Sequence, residues 1–228
     1  VIRNMKEELD ANGFTELFEE QKWNLEEGGK YYVARNESSL IAFCIPKKEF
    51  TGFQIMASHS DFPTFKLKEN AEMCVENQYI KLNVEKYGGM LCAPWFDRPL
   101  SVAGRLLVKE DGKIVTKLVH VDRDLVMIPN LAIHMNREAN DGYKYNAQVD
   151  MLPLFGGEDA KGKLMQIIAE SAGVKEEDIL GNDLYLYNRM PGTIWGAEGE
   201  FVSSPKLDDT QCAFASLKAF LASENPHA

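Results

Sequence analysis

The sequence predicts an α/β frame from which the chain departs into a β-rich segment and then returns. Three observations predict it. Helical periodicity stands near both ends, in Ile2, Met5 and Leu9 and again in Ala213, Leu217, Phe220 and Leu221. Phe53–Ala57 is a nearly continuous apolar run of strand length, the pattern of a strand buried on both faces. From about Leu91 to Gly196 the chain alternates short strand patterns with turn signals. With no repeat or low-complexity linker, this places the first part of the α/β domain at residues 1–90, an inserted β-rich domain at 91–196 and the return at 197–228.

Each element has a local reason. Gly13 is well placed to stop the first helix. Tyr31–Arg35 and Leu40–Ile45 flank the polar turn Asn36-Glu37-Ser38-Ser39 and predict a hairpin that ends at Pro46. Phe65–Lys68 and Tyr79–Val84 alternate as half-exposed strands. Asp111-Gly112, between Leu106–Lys109 and Ile114–Val121, is the strongest hairpin signal in the chain. Leu125–Ile128 is a short apolar run before Pro129, and Leu184–Tyr187 is a further strand. Gly162–Ala172 predicts a helix with Leu164, Ile167 and Ile168 on one face and Gly173 as its stop. Asp209 is a good N-cap for a last helix that runs to about Ser223.

Composition narrows the function classes. The chain has 228 residues, 45% apolar and 26% charged, enough for a sizeable core and ordinary for a folded protein. The net charge of −10 opposes binding to nucleic acid or to an anionic membrane. No run reaches the roughly 18 apolar residues that span a bilayer. Acidic residues occupy the N-terminal stretch where a signal peptide would be apolar. Cys44, Cys74, Cys92 and Cys212 share no C-x-x-C spacing and are expected to be reduced thiols of a cytoplasmic protein. The chain opens without Met inside a helical pattern and stops just after another, so both ends are read as cuts through a longer protein.

Two stretches carry candidate chemistry. In His59-Ser60-Asp61, a His at a strand end can present one ring nitrogen to a metal while an acid fixes its tautomer from behind. In Ser204-Pro205-Lys206-Leu207-Asp208-Asp209, Asp208 stands at a helix start, where unpaired N–H groups favour a carboxylate. By itself the Asp208-Asp209 pair reads equally as two acids competing to cap the helix. A His and a carboxylate from two strand ends of one sheet can also converge at its carboxyl edge, where open α/β sheets place their sites.

Four blocks then occur in order: H-S-D-x-P, Y-G-G-x-L followed by W-F-D-R-x-L-x-x-A-G-R, I-P-x-L-A-I-H, and S-P-K-L-D. With them the chain resembles, over its whole length, the aspartyl aminopeptidase family, the aminopeptidase I-type dinuclear zinc metallopeptidases. The resemblance implies a zinc-exopeptidase-like sheet flanked by helices, incomplete here, and interrupted by a dimerisation domain. It implies an aminopeptidase that removes N-terminal residues from peptides with a free N-terminus by metal-activated water, with two zinc ions per site. It makes His59 a metal ligand, Asp208 the carboxylate that bridges the two ions, and Asp61 the support of the His59 imidazole. His134, from the insert, is then expected to reach the active site of a neighbouring subunit in a homo-oligomer built on dimers. On periodicity alone, His134 is a residue packed on a strand.

The chain departs from the family pattern in places. Phe62 stands where the family has a small residue, Asp209 where it has Asn, and Met90, Cys92 and Ala93 change the loop before Trp95. The family's paired glutamates (a general base and a ligand), its later Asp ligand and its His ligand have no counterpart in these 228 residues. Two ligands cannot hold a catalytic zinc, so this stretch alone is expected to be inactive and the activity to belong to a longer chain. The alternative is a non-catalytic oligomerisation or binding module derived from the same fold. Preference for an acidic or a neutral N-terminal residue stays open.

Other features are read as structural. Asp97 and Arg98 are expected to form an ion pair, His120 lies in a strand pattern, and Tyr31, Tyr32 and Trp195 are packing residues. Gly157-Glu-Asp-Ala-Lys-Gly162-Lys163 has the spacing of a phosphate loop. It lacks the hydroxyl residue at Leu164 and places Glu158 and Asp159 where phosphate would sit, so it is a solvated helix start. His227 stands at the end of the chain with no partner to judge it by.

Overall fold

In the computed structural model, which describes residues 1–50 and 52–224, the chain forms two compact units. One comprises residues 1–62 with the segment from Lys206 onward, and the other, inserted into it along the chain, comprises Pro63–Pro205. His227 lies outside the described residues.

In the first unit, helix α1 (Ile2–Ala11) buries Ile2 and Leu9 on the stripe its periodicity predicts. It stops where Gly13 adopts φ 79°, a left-handed conformation that glycine takes without a steric penalty. Strand β1 (Thr15–Glu16) pairs in parallel with β2 (Lys30–Arg35), which pairs antiparallel with β3 (Ser39–Cys44). Asn36 and Glu37, both at positive φ, reverse the chain between β2 and β3. The buried Tyr32 donates its hydroxyl to Asp10 at 2.8 Å, which ties β2 to α1.

The predicted strand at Phe53–Ala57 is corrected. These residues form no strand, and Phe53 and Ile55 are 81% and 85% exposed. A strand buried on both faces needs a bonding partner at its edges and a packed layer on each side. Among the described residues none of these is supplied.

The second unit begins with β4 (Thr64–Val75), β5 (Tyr79–Tyr87), β6 (Leu100–Glu110) and β7 (Lys113–His120). It continues with β8 (Leu154–Gly157), α2 (Leu164–Ala172) and β9 (Ile179–Asn188). These strands make an antiparallel sheet in the order β7-β6-β9-β4-β5-β8, while β10 (Thr193–Trp195) and β11 (Phe201–Ser203) pair separately. Because β4 and β5 belong to this sheet, the compact unit starts at Pro63, earlier than the boundary at residue 91 expected from sequence, and runs to Pro205. One sheet face, with Phe65, Leu67, Val102, Leu106, Leu184 and Leu186, closes over Leu164 and Ile168 of α2 as a single core. Asp111 and Gly112, at φ 49° and 76°, close the β6–β7 hairpin as their sequence predicts.

Two details explain residues that stood out as sequence. A Cβ on Gly104 would lie 2.1 Å from the Asp183 carbonyl oxygen, so β6 and β9 approach closely only because that residue is glycine. At the start of α2, the Glu72 carboxylate accepts the N–H groups of Gly162 (2.5 Å) and Leu164 (2.9 Å). The place where a phosphate would sit in a phosphate loop is therefore filled by the chain's own anion. Gly173, in the left-handed conformation, ends α2 as expected.

The chain then returns to the first unit through α3 (Leu207–Ala222), whose Leu217, Phe220 and Leu221 pack on Leu9, Phe14 and Tyr32. No helix of the described residues is long and apolar enough to cross a membrane.

Candidate metal centre

The site is built from two segments of the first unit, the irregular loop after residue 57 and the start of α3. Asp208 and Asp209 have non-helical backbone angles, so the regular helix begins only after them, and the peptide between them is cis. The two acids divide their tasks. Asp209 points inward, 16% exposed, and accepts hydrogen bonds from the Cys212 side chain and from the Cys212 backbone N–H, the position a helix cap satisfies. Asp208 is 91% exposed and leaves its carboxylate to the loop opposite.

That loop presents His59. Its backbone N–H donates to Asp209 Oδ2 at 3.1 Å, across 150 residues of sequence. Next to it, the Ser60 hydroxyl donates to the Ser38 carbonyl at 3.3 Å, which fastens the loop to the β2–β3 turn. His59 Nδ1 lies 3.1 Å from the Asp61 carbonyl oxygen and 3.2 Å from Asp61 Oδ1. Two acceptors facing Nδ1 keep the proton there and leave the lone pair on Nε2.

Nε2 in turn faces Asp208 Oδ1 at 3.5 Å and Asp209 Oδ2 at 3.7 Å. One ligand atom from each of His59, Asp208 and Asp209 lies within 4.8 Å of the others. A lone pair turned toward two carboxylates is stable only with a positive charge between them, a proton or a metal cation. Imidazole nitrogen and carboxylate oxygen are the donor types zinc takes. Two ligands bound at about 2.0–2.1 Å in a tetrahedron stand about 3.3 Å apart, close to the spacing found here. The residues present therefore fit a zinc ion.

The electrostatics agree with this arrangement. Desolvation works against the charged His59 ring, but the Asp61 carbonyl, the Asp209 charge and the Asp61 carboxylate outweigh it and raise its pKa above the ordinary imidazole value. Asp209 is held below the usual carboxylate range, first by the Cys212 side chain and then, against desolvation, by the His59 amide and ring. Burial lowers the Lys206 ammonium, which lies 4.6 Å from the centre of the Phe62 ring. Phe62 thus serves as the platform for Lys206 beside the His59 turn.

The other sequence candidates fall elsewhere. His134 belongs to the inserted unit, on an exposed turn rather than a strand. The expected Asp97–Arg98 ion pair is corrected. Asp97 accepts the Asn130 N–H at 3.0 Å and Arg98 approaches Met190 Sδ at 2.8 Å, so the two side chains serve separate contacts. The His120 ring packs on Tyr187, the Trp195 ring on Phe201 and the Tyr31 ring on Phe43. The tie from Asp209 to His59 has no direct signature in the sequence. Only an acid following Asp208 at a helix start hinted at it.

Comparison with known proteins identifies relatives of the chain. A model of the family described as aminopeptidase I zinc metalloprotease (M18) matches residues 1–228. A protein of Clostridium acetobutylicum named "Probable M18 family aminopeptidase 2" is 47% identical over 231 residues, covering 96% of this chain and 53% of that protein. A cryo-EM structure of the Ape4 and Nbr1 complex contains a chain that superposes with a TM-score of 0.90 at 34% identity, over 99% of this chain and 48% of that one. The dodecamer of S. cerevisiae mApe1 superposes with a TM-score of 0.80 at 31% identity, over 97% and 51%. The chain spans about half the length of the curated relatives it matches.

Proposed function

The chain belongs to the aminopeptidase I zinc metalloprotease (M18) family, and from that premise we propose that it forms part of a zinc-dependent aminopeptidase acting on peptides with a free N-terminus. His59 would offer Nε2 to zinc, and the exposed Asp208 carboxylate would bridge two ions. Asp61 would keep Nδ1 protonated and the ring aimed. When bound, the metals would lower the pKa of a water and polarise the scissile carbonyl. His134, on its exposed turn, is proposed to serve the site of a neighbouring subunit. The general base and remaining ligands would come from further residues of a longer chain, and these 228 residues alone are expected to be inactive.

The inserted unit is proposed to make the dimer on which a larger homo-oligomer is built. The dodecameric S. cerevisiae relative supports this, as do Leu107, Ile114 and Leu118, exposed on the β6–β7 hairpin at the sheet edge. A cytoplasmic location is supported by four free cysteines.

One observation carries the reading: His59 Nε2 faces Asp208 and Asp209 with Nδ1 already engaged by Asp61. The test measures zinc content by elemental analysis, and hydrolysis of aminoacyl substrates, in the full-length protein. His59→Ala and Asp208→Asn should each remove zinc and lower activity by at least about a hundredfold while leaving the far-UV circular dichroism unchanged. Full zinc content in both variants would overturn the assignment, whereas a wild-type protein with neither zinc nor activity would favour a non-catalytic module.

A further inference from the structure

The reading above uses Asp208 and leaves its neighbour without a task in the chemistry. Asp209 has the more constrained carboxylate, at 16% exposed against 91% for Asp208. It accepts the His59 backbone N–H through Oδ2 and hydrogen bonds from the Cys212 side chain and backbone N–H. The Cys212 contacts cap a helix, which any acid at a helix start can do. The His59 contact joins the two segments that carry the proposed ligands.

We propose that Asp209 is a positioning residue that sets the distance between His59 and Asp208 and does not itself bind the metal. The inference rests on the metal-site reading. A carboxylate that already accepts three hydrogen bonds has little lone-pair capacity left for a cation. What those bonds do supply is geometry. The amide they hold is that of the residue whose ring is aimed, so releasing it loosens the loop at His59 itself, while the Ser60–Ser38 and Phe62–Lys206 contacts hold the residues that follow. Because Asp209 joins directly to Asp208, one side chain orders both halves of the site.

Two substitutions in the full-length protein separate positioning from ligation. Asp209→Asn keeps an acceptor oxygen of the same reach and removes the charge. Asp209→Ser keeps a helix cap but is too short to reach the His59 amide. Zinc affinity is measured by competition with a chromophoric chelator, and exchange of the His59 amide proton is followed in the metal-free protein. Asp209→Asn should hold zinc within about threefold of the wild type and keep the amide protected. Asp209→Ser should melt as the wild type does, expose the amide, and lose about 10- to 100-fold in zinc affinity.

The proposal is overturned if Asp209→Asn weakens zinc as much as Asp208→Asn does, since the carboxylate would then be a ligand. It is equally overturned if Asp209→Ser leaves amide exchange and affinity at wild-type values. Should His59→Ala and Asp208→Asn retain full zinc affinity, the metal-site reading itself fails, and the amide exchange still decides whether Asp209 holds the loop.

Discussion

The inserted unit and the unit it interrupts are built on opposite terms. Pro63–Pro205 closes nineteen buried residues into one core between a sheet face and α2. Among its described residues the first unit closes a core of three, Leu9, Phe14 and Tyr32, backed by part-buried side chains, and leaves Phe53, Ile55 and Met56 in solvent. Yet the candidate metal ligands, His59, Asp208 and Asp209, lie in the first unit. The difference teaches that packing and chemistry are separable here: the stability of the insert resides in apolar contacts, and the site depends on a few directional hydrogen bonds between distant segments.

The sharpest way to break that comparison is at Gly104. A methyl there meets backbone on β9, which cannot rotate away as a side chain could. Gly104→Ala is expected to cost about 3 kcal/mol or more by forcing β6 from β9 at the centre of the sheet. Urea unfolding followed by circular dichroism measures this. A loss below about 1 kcal/mol would mean that the sheet core is less tightly fitted than its geometry implies.

A smaller effect is expected at Glu72. Its carboxylate satisfies two N–H groups at the start of α2, so Glu72→Ala should cost about 1–2 kcal/mol, the scale of a lost helix cap. Zinc binding should be unchanged in that variant. Equal losses of stability and of zinc affinity would show that the two units are not separable in the way proposed.

How much of this was legible depended on the range of the interaction. The stripes of α1, α2 and α3 and the Asp111-Gly112 turn are local patterns, and the sequence predicts them within a few residues of their observed bounds. Of Thr64–Val75 the sequence predicts only Phe65–Lys68 as a strand. Glu69-Asn70-Ala71 breaks the alternation there, and the register against β5 shifts between Leu67 and Glu72. Phe53–Ala57 carries the local signature of a buried strand, but burial is supplied by partners that no local pattern reports. His59 and Asp208 could be paired only through resemblance to a family, because nothing near either residue points to the other. The Asp209 tie was beyond reach, since a helix cap has the same sequence signature whether or not it also holds a distant amide.

The smallest effect tests the solvent face of the insert. Asp183 on β9 pairs with Lys66 at 2.9 Å and Arg105 at 3.1 Å, and accepts the Tyr185 hydroxyl at 3.0 Å. Partial burial pushes its pKa up, but the bonds from Lys66 and Tyr185 and the two positive charges outweigh this and depress it. A depressed carboxylate pKa contributes stability that is fully present above the unfolded value, about 3.9, and is lost as pH falls through the folded value. Asp183→Asn should therefore be less stable than the wild type near neutrality by about 0.5–1 kcal/mol, the scale of partly exposed ion pairs. The gap should narrow below about pH 4, as the wild-type carboxylate becomes protonated. Thermal melts of both proteins at pH 7 and pH 3 measure the change. A gap that widened on acidification would mean that Asp183 is held in its neutral form, and that the polar face is stabilised by shape rather than by charge.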